Sequence, residues 1–344
     1  MKGSISPVIM GVGARSPLGL SALQVAMNAR ALRLEPRSTD FRDRKGYWIG
    51  AARAECIPDA VMGWERFAAL GAPALREAAH GQTDRFPLLL ALPDRARPDQ
   101  GARFDDELLA ELARRSGAAV DLAASTTVRA DHAGFALALD EASLRLSQGA
   151  PGVLVGGLDS YFDPAVLLFL DDQRRLHSEH SDSGFVPSEG AAFFWIGRAD
   201  ARIEGDPARA PRPLAVVSRL EIGREETVVT GEPNLGVTMT ELARRAIAGA
   251  SRPVSWVVTD VNGERHRVRE HSAVEMRLGD ELVKEHRHDT LPAAHGEVGA
   301  ATGALHLAVV TALFRAGAAP ARSALLLQSS EGAERAALLV EQAS

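Results

Sequence analysis

The sequence predicts an α/β protein with parallel sheets that are covered by helices on both faces. Short apolar runs of strand length alternate with segments whose apolar residues recur at helical spacing, as at 86–92 and 135–146. Such alternation is typical of parallel strands joined by crossover helices. It occurs in two runs, separated by a linker rich in Pro, Ala, Arg and Asp at 199–212. We therefore expect two similar halves, 1–205 and 206–344, although no letter-by-letter repeat relates them.

The composition argues against several classes of protein. The 344 residues are 46% hydrophobic and 24% charged, which is ordinary for a globular chain. A net charge of −6 and a pI near 6.0 argue against a nucleic-acid surface, so the arginines of 265–269 are expected on a solvated face. No run approaches the roughly 18 apolar residues of a membrane span, and the start lacks a signal-peptide pattern, so we expect a cytoplasmic protein. The single cysteine, Cys56, excludes an intramolecular disulfide.

The first half begins with a strand at 8–12, a glycine turn at 11–14 and a helix at 22–29. A glycine turn after a strand also occurs in nucleotide-binding loops, but a dinucleotide fingerprint requires its third glycine at another spacing. The next predicted elements are a surface loop at 30–46, a short strand at 48–52, a helix at 67–79, a buried parallel strand at 86–92, a helix at 105–115, a strand after Val120 and a helix at 135–146.

The stretch 153–196 is the most informative part of the chain. An apolar run at 153–155 ends in Gly156 and Gly157, then presents Asp159 and Ser160, and a second apolar run follows at 191–196. This order predicts strand, glycine turn, helix, loop and strand. The glycines permit either a positive φ or the close approach of another segment. In the second half the alternation continues through 214–217, 238–250, 256–261, 272–283, 300–314, 324–327 and 336–340.

Three motifs within this stretch, GGLDS, RRL and GFVPSEGAAFF, together resemble the central segment of the β-ketoacyl synthases of the thiolase superfamily. The sequence GVGARSPLG at 11–19 is similar to the GxGxxSPxG opening of that family. The resemblance implies two pseudo-duplicated βαβαβαββ halves that form a five-layer αβαβα sandwich, with active-site loops at the seam between them. It also implies a dimer formed through the first half, and the strand after Val120 is the candidate edge.

The family's nucleophile is changed in this sequence. A ketosynthase holds an acyl unit as a thioester on a cysteine at the N-terminus of a buried helix, where the helix dipole lowers the thiol pKa. The matching segment, RADHAG at 129–134, has Asp131 at the position of that cysteine. A carboxylate cannot form the thioester by this route. Cys56 lies in a loop far from this position, and we expect it to be inert and buried.

The family's two histidines are changed as well. The first belongs to a motif like EAHGTGT, and TDVNGE at 259–264 has Asn262 at its position. Asparagine can still donate a hydrogen bond to an oxyanion. The second belongs to a motif like KSxxGHxxGAAG, but His295 lies one residue too far from Gly299, and no lysine occupies either register. The closing loop at 329–336 lacks the family's phenylalanine.

Other polar residues have simpler structural interpretations. Asp159 is expected to be a buried acid that accepts hydrogen bonds from loop amides and holds the seam together. His177 and His180 form an HxxH pattern, and His286 and His288 lie close in sequence. Neither pair has a third ligand at defined spacing, so both are expected on solvated surface. We therefore expect no metal ion and no cofactor.

Three functions of different classes follow. The favoured one is a non-catalytic ketosynthase homologue that acts as a binding, scaffolding or partner subunit for an active synthase, a carrier protein or another client. The second is an enzyme with altered chemistry, such as acyl hydrolysis, decarboxylation or transfer, in which Asp131, His132 and His295 supply acid–base groups. Adjacent residues at a helix start point in different directions, which weakens the pairing of Asp131 with His132. The third, a condensing enzyme with an unexpected nucleophile, has no thiol at the required place.

Overall fold

The computed structural model describes residues 6–101, 103–178, 183–198 and 212–343. Residues 199–211 of the predicted linker lie outside this part of the chain. The first half contains, in chain order, β1 Val8–Arg15, α1 Ala22–Arg30, β2 Arg37–Arg42, β3 Trp48–Ala51, α2 Gly63–Ala78, β4 Leu88–Leu92, α3 Phe104–Ser116, β5 Thr126–Arg129, α4 Gly134–Ser147, β6 Val153–Ser160, α5 Pro164–Asp172 and β7 Glu189–Gly197.

The second half repeats the alternation. Its elements are β8 Ala215–Arg224, α6 Thr227–Thr230, α7 Val237–Ala248, β9 Trp256–Thr259, α8 Arg265–Leu278, β10 Arg287–Thr290, α9 Pro292–His295, α10 Thr302–Arg315, β11 Ser323–Ser329 and β12 Glu334–Gln342. Short 3₁₀ turns at Asp131–Ala133 and Gly299–Ala301 lead into α4 and α10. These two turns carry much of the candidate site.

The two halves have the same strand order. The first half is ordered β5-β4-β6-β7-β1 and the second β10-β9-β11-β12-β8. In each half the first three strands of this order are parallel to one another, whereas the fourth and the fifth are each antiparallel to the strand before them. The predicted parallel sheets are therefore mixed. The halves join where β1 pairs with β8 through Val8 with Val216 and Ile9 with Ala215. The shared order and polarity confirm the pseudo-duplication.

Three of the hydrophobic cores lie between the layers of helices and sheets. On β4, Leu89 belongs to the central core and Leu90 to an outer core, because successive side chains of a strand point to opposite faces. On β9, Val258 and Val257 divide in the same way. Helices α1, α4 and α10 fill the central core, α2 and α3 cover the first sheet, and α7 and α8 cover the second. This is the predicted five-layer αβαβα sandwich.

Helix α10 shows why the central layer is strongly apolar. Thirteen of its fourteen residues are buried, because strands from both halves pack around it. A helix that is apolar on all sides is stable only when it is enclosed in this way. No helix in the described ranges is both long and apolar enough to cross a membrane.

Two predicted glycine turns are parts of strands. Gly156 and Gly157 lie inside β6, which runs without interruption from Val153 to Ser160. A Cβ atom at position 157 would lie 2.8 Å from the carbonyl oxygen of Ala300, so the glycine serves close packing instead of a turn. Gly11 is likewise inside β1, where a Cβ atom would overlap the carbonyl oxygen of Ala78.

Two further differences concern the surface of the first half. The predicted loop at 30–46 contains β2, which forms a two-stranded antiparallel sheet with β3. The strand predicted directly after Val120 begins only at Thr126, because Leu122–Ala124 form a 3₁₀ turn. Strand β5 pairs with β4 alone among the described strands, and it therefore occupies the edge of the sheet.

Candidate functional site

The candidate site lies at the seam, where loops of both halves meet. The turn Asp131–Ala133 starts α4 in the first half, whereas Ser330 follows β11 in the second. The amide of Ala133 donates to Ser330 Oγ at 3.0 Å, and this hydroxyl donates to the carbonyl oxygen of Ala130 at 2.5 Å. These bonds fix the start of α4 against the opposite half.

Asp131, which the sequence motifs predict at the family's nucleophile position, has a left-handed backbone with φ of +45°. This conformation is uncommon for residues other than glycine and marks local strain. Its carboxylate accepts a hydrogen bond from the amide of Asp94 at 3.3 Å. Burial raises the pKa of Asp131, and the negative charge of Glu331 adds to the effect, against the opposing positive charge of His132. Asp131 is thus a partly buried carboxylate that accepts from the amide of Asp94.

His132, the next residue, is paired with Glu297 instead of Asp131. Its Nε2 lies 2.8 Å from Glu297 Oε1, and both side chains are about 1% exposed. Burial and the adjacent Arg267 lower the pKa of His132, but Glu297 and Glu331 together outweigh them and the net pKa is raised. Burial alone would raise the pKa of Glu297, yet its donors and His132 hold that pKa far below the usual range. We conclude that the two form a buried ion pair.

Asn262, predicted from the sequence motif to take the position of the first family histidine, has its amide group fully engaged. Its Nδ2 donates to Glu297 Oε2 at 2.5 Å and to Glu264 Oε2 at 3.1 Å, while its Oδ1 accepts from the amide of Glu264. Glu297 also accepts from the amide of Gly299 at 2.7 Å. The asparagine therefore bridges two carboxylates, and its donor group is not free to face an oxyanion.

Two arginines complete the network. Arg267 is 3% exposed; it donates to Glu331 Oε1 and to the carbonyl oxygen of Ser329, each at 2.5 Å. Arg175 binds Glu264 with two bonds of 2.7 and 2.9 Å and reaches Glu331 at 2.7 Å. Arg267 was expected on a solvated face, and this expectation is wrong, because its charge is neutralised inside the seam.

His295 is not part of this network. It is fully buried, and its Nδ1 contacts the carbonyl oxygen of Gly296 at 2.6 Å. Its Nε2 has no hydrogen-bond partner within the described ranges, and its ring centroid lies 5.4 Å from that of His306. Burial lowers the pKa of His295 to about 4. The contacts of Asp131, His132 and His295 therefore do not join them as one acid–base group.

Asp159 holds the seam, as the sequence suggested. It is 1% exposed, its Oδ2 accepts from the amide of Ala300 at 2.8 Å, and its Oδ1 lies 2.7 Å from Arg97 Nη1. Burial raises the pKa of Asp159 to about 6, against the opposing charge of Arg97. Arg97 also binds Asp99 with two bonds of 2.7 and 2.8 Å. The predicted bonds to loop amides are thus joined by a buried arginine.

The remaining candidate residues lie elsewhere. Cys56 is exposed, so the expectation of a buried thiol is wrong. His177 is exposed and its amide donates to the carbonyl oxygen of Phe185. His180 lies outside the described residues.

Several solved structures have a similar fold. The chain is similar to the ishigamide ketosynthase/chain length factor, with a TM-score of 0.73 over 98% of this chain and 100% of that one at 19% identity. It is similar to a type II PKS ketosynthase bound to its acyl-carrier protein, AntDE:AntF, with a TM-score of 0.80 over 99% and 100% at 15% identity. The chain has the thiolase-like fold of ketosynthases and chain length factors.

A ketosynthase domain of a modular synthase has this ketosynthase-like fold too. The ketosynthase from module 6 of the bacillaene synthase of Bacillus subtilis 168 matches with a TM-score of 0.74 over 98% of this chain and 72% of that one at 14% identity. No family model and no curated protein matches the sequence. At these identities the likeness shows the fold alone.

The sequence motifs missed the acids and arginines of the seam network. Glu297 lies within HGEVGAA, two residues after His295, but a family motif draws attention to the histidine position and not to its neighbour. Arg267 and Glu331 lie in polar stretches that look solvated. One pattern does indicate that Arg267 is buried. At helical spacing it shares one face of α8 with the buried Glu270, Val274 and Leu278.

Proposed function

We propose that this protein is a non-catalytic ketosynthase homologue that acts as a binding or partner subunit. The observation that carries the proposal is the buried ion-pair network around the residues that the sequence motifs match to the family's catalytic positions. Asp131 replaces the nucleophile, and Asn262 and Glu297 bind each other and their neighbours. Buried charges are stable only when they are paired, so this network resists the entry of an acyl group that would unpair it.

The chemistry of condensation also requires groups that these positions do not offer. An acyl-enzyme needs a nucleophile that gives a stable thioester, and an enolate needs free donors near the reacting carbon. The carboxylate of Asp131 supplies neither, and it would repel the anion that decarboxylation produces. The amide of Asn262 donates to two carboxylates.

The fold favours another ketosynthase-like chain or a carrier protein as partner. One similar structure is described as a ketosynthase/chain length factor and another as a ketosynthase in complex with an acyl-carrier protein. We propose that this chain pairs through the edge strand β5, either with a second copy or with a ketosynthase-like subunit. Edge strands leave unpaired backbone groups that a second strand can satisfy.

One observation favours an alternative, an enzyme with altered chemistry in the same cleft. A histidine hydrogen-bonded to a carboxylate, as His132 is to Glu297 at 2.8 Å, is the arrangement of many general bases. Such an enzyme would catalyse decarboxylation, hydrolysis or transfer of an acyl group. It would require the pair to open toward a bound thioester.

A decarboxylation assay separates these functions. Malonyl-carrier protein is incubated with the full chain and with Asp131→Ala, His132→Ala and His295→Ala, and released CO₂ is measured. Cys56→Ala, at an exposed thiol, is the matched control. We expect all five proteins to give the same background rate. A rate above background that is lost in any of the three site variants and kept in the control would overturn the non-catalytic proposal.

A further inference from the structure

A second cluster of polar side chains lies between helix α8 and the edge strand β10. His271 and Glu275 are one helical turn apart on α8, and His288 is on β10. One potential ligand atom of each residue lies within 4.8 Å of the other two. The ring centroids of His271 and His288 are 4.7 Å apart, and His286 Nε2 is 3.9 Å from Glu275 Oε1. Three potential ligands thus converge on one place, and His286 lies beside one of them.

The residue types in this cluster suit a transition-metal ion. Neutral imidazole nitrogens together with one carboxylate oxygen are a common donor set for Zn²⁺. A neutral imidazole offers a nitrogen lone pair to a metal ion, and the two rings lie with their centroids 4.7 Å apart.

A comparison with another group of acids and histidine shows what distinguishes this cluster. Glu264, His266 and Glu331 also bring ligand atoms within 4.8 Å of one another. Their carboxylates, however, are bound by Arg175 and Arg267, whose charges would repel a cation. Glu275 lies beside a histidine instead, with His286 Nε2 3.9 Å from Glu275 Oε1. Of these two clusters in the described part of the chain, the α8–β10 cluster is the one whose acid forms no ion pair with an arginine.

We propose that His271, Glu275 and His288 bind one divalent transition-metal ion of the Zn²⁺ type, with His286 or water as the fourth ligand. Metal–ligand bonds of about 2.0–2.1 Å in a tetrahedron place ligand atoms about 3.3 Å apart, so the observed spacing closes through small side-chain rotations. Thr259 Oγ1 lies 2.9 Å from His288 Nε2 and orients that ring, as outer-shell groups do in metal sites.

The metal ion would hold the edge strand β10 of the second half against helix α8. Strand β10 has four residues and pairs with β9 alone within the described ranges. In the sequence, no third ligand lies at a defined spacing from His286 and His288. In the folded chain, α8 brings His271 and Glu275 close to His288. The inference is independent of the proposed function, because none of its four residues belongs to the seam network.

Calorimetric titration of the chelator-treated full chain with ZnCl₂ tests the site. We expect one Zn²⁺ per chain and a higher thermal midpoint in its presence. His271→Ala and His288→Ala are expected to weaken this binding tenfold or more, whereas His266→Ala, the matched control in the arginine-bound group, keeps it. Circular dichroism of each variant without metal verifies the fold, and His271→Asn replaces any variant that fails to fold.

Two results would overturn the proposal. The first is no saturable binding of Zn²⁺ by the wild-type chain. The second is wild-type affinity in both His271 and His288 variants, which would assign the ion to another place. Neither result bears on the decarboxylation assay, so the two proposals fail separately.

Discussion

His295 and His306 are neutral imidazoles enclosed in the protein. Both are fully buried, and both nitrogens of His306 have no hydrogen-bond partner within the described residues. Burial disfavours the charged form, so it lowers the pKa of His295 to about 4 and that of His306 well below its ordinary value. Folding therefore requires these rings to give up protons that the unfolded chain binds in mild acid.

This requirement predicts how stability depends on pH. An unfolded histidine titrates near 6.5 and folded His295 near 4, so between these values the unfolded state binds the extra proton. The free energy of unfolding should fall as the pH drops through this range, by up to ~1.4 kcal/mol per pH unit for each such group. His295→Gln is expected to reduce the slope by about one proton, as measured by urea unfolding at fixed protein concentration from pH 7 to 4.5.

The control for this experiment is His177→Gln, which changes an exposed histidine. It should leave the slope at its wild-type value, and His306 should keep part of the slope in the His295 variant. An unchanged slope in His295→Gln would show that this ring does not titrate as its burial implies.

At the scale of single residues, the sequence predicts which residue occupies a motif position better than it predicts the contacts of that residue. Alignment with the family's motifs predicts that Asp131, Asn262 and His295 lie near the seam, because these motifs lie on loops that follow one another in a known order along the chain. It cannot show that Glu297 accepts bonds from His132 and Asn262, because these three come from distant parts of the chain. Long-range pairing depends on packing of both halves, and no local pattern records it.

At the scale of elements, β6 separates two uses of glycine. A glycine pair after an apolar run predicts a turn, yet Gly157 continues the strand and lets the turn before α10 approach. Both conformations suit the same residue, and only the facing segment decides between them. Helix α4 was predicted more closely, since apolar periodicity is a local property: it runs over 134–147 where 135–146 was expected. Helix α8, which has a polar first half, runs over 265–278 where 272–283 was expected.

Gly157→Ala should therefore destabilise the protein. Its Cβ atom would lie 2.8 Å from the carbonyl oxygen of Ala300 and 2.9 Å from Ala304 Cβ, and overpacking of this kind costs about 1–3 kcal/mol. Gly50→Ala is the matched control, because it lies in strand β3 with no described atom within 4 Å of the added methyl. Urea unfolding should show a loss for Gly157→Ala and none for Gly50→Ala; equal midpoints would contradict the close approach.

At the scale of the whole molecule, charged bonds join the two halves at several points. His132 pairs with Glu297, Arg175 with Glu264, and Asp159 accepts from the amide of Ala300, each across the seam. Breaking a buried pair by removing one partner costs about 3–5 kcal/mol, because the other charge is left unpaired. The halves are therefore expected to behave as one rigid unit, with the seam network in its interior.

Such a unit leaves its edges for association, and we predict that β5 forms the dimer contact. Leu122 is 46% exposed beside this strand, and Thr126 is exposed at its start. Lysine at both positions would place like charges near a two-fold axis, where strands of the two subunits meet. Leu122→Lys with Thr126→Lys should shift the chain from dimer to monomer in analytical ultracentrifugation.

Leu235→Lys is the matched control, since Leu235 is a similarly exposed leucine of the second half, 58% accessible. It should leave the dimer intact. If the wild-type chain alone is a monomer across a wide concentration range, self-association through β5 is wrong, and the same variants are then tested in a mixture with a ketosynthase subunit. A heterodimer that forms equally well with the Leu122 and Thr126 variant would remove β5 from the contact altogether, because two added charges at a true strand interface cannot be accommodated without loss of affinity.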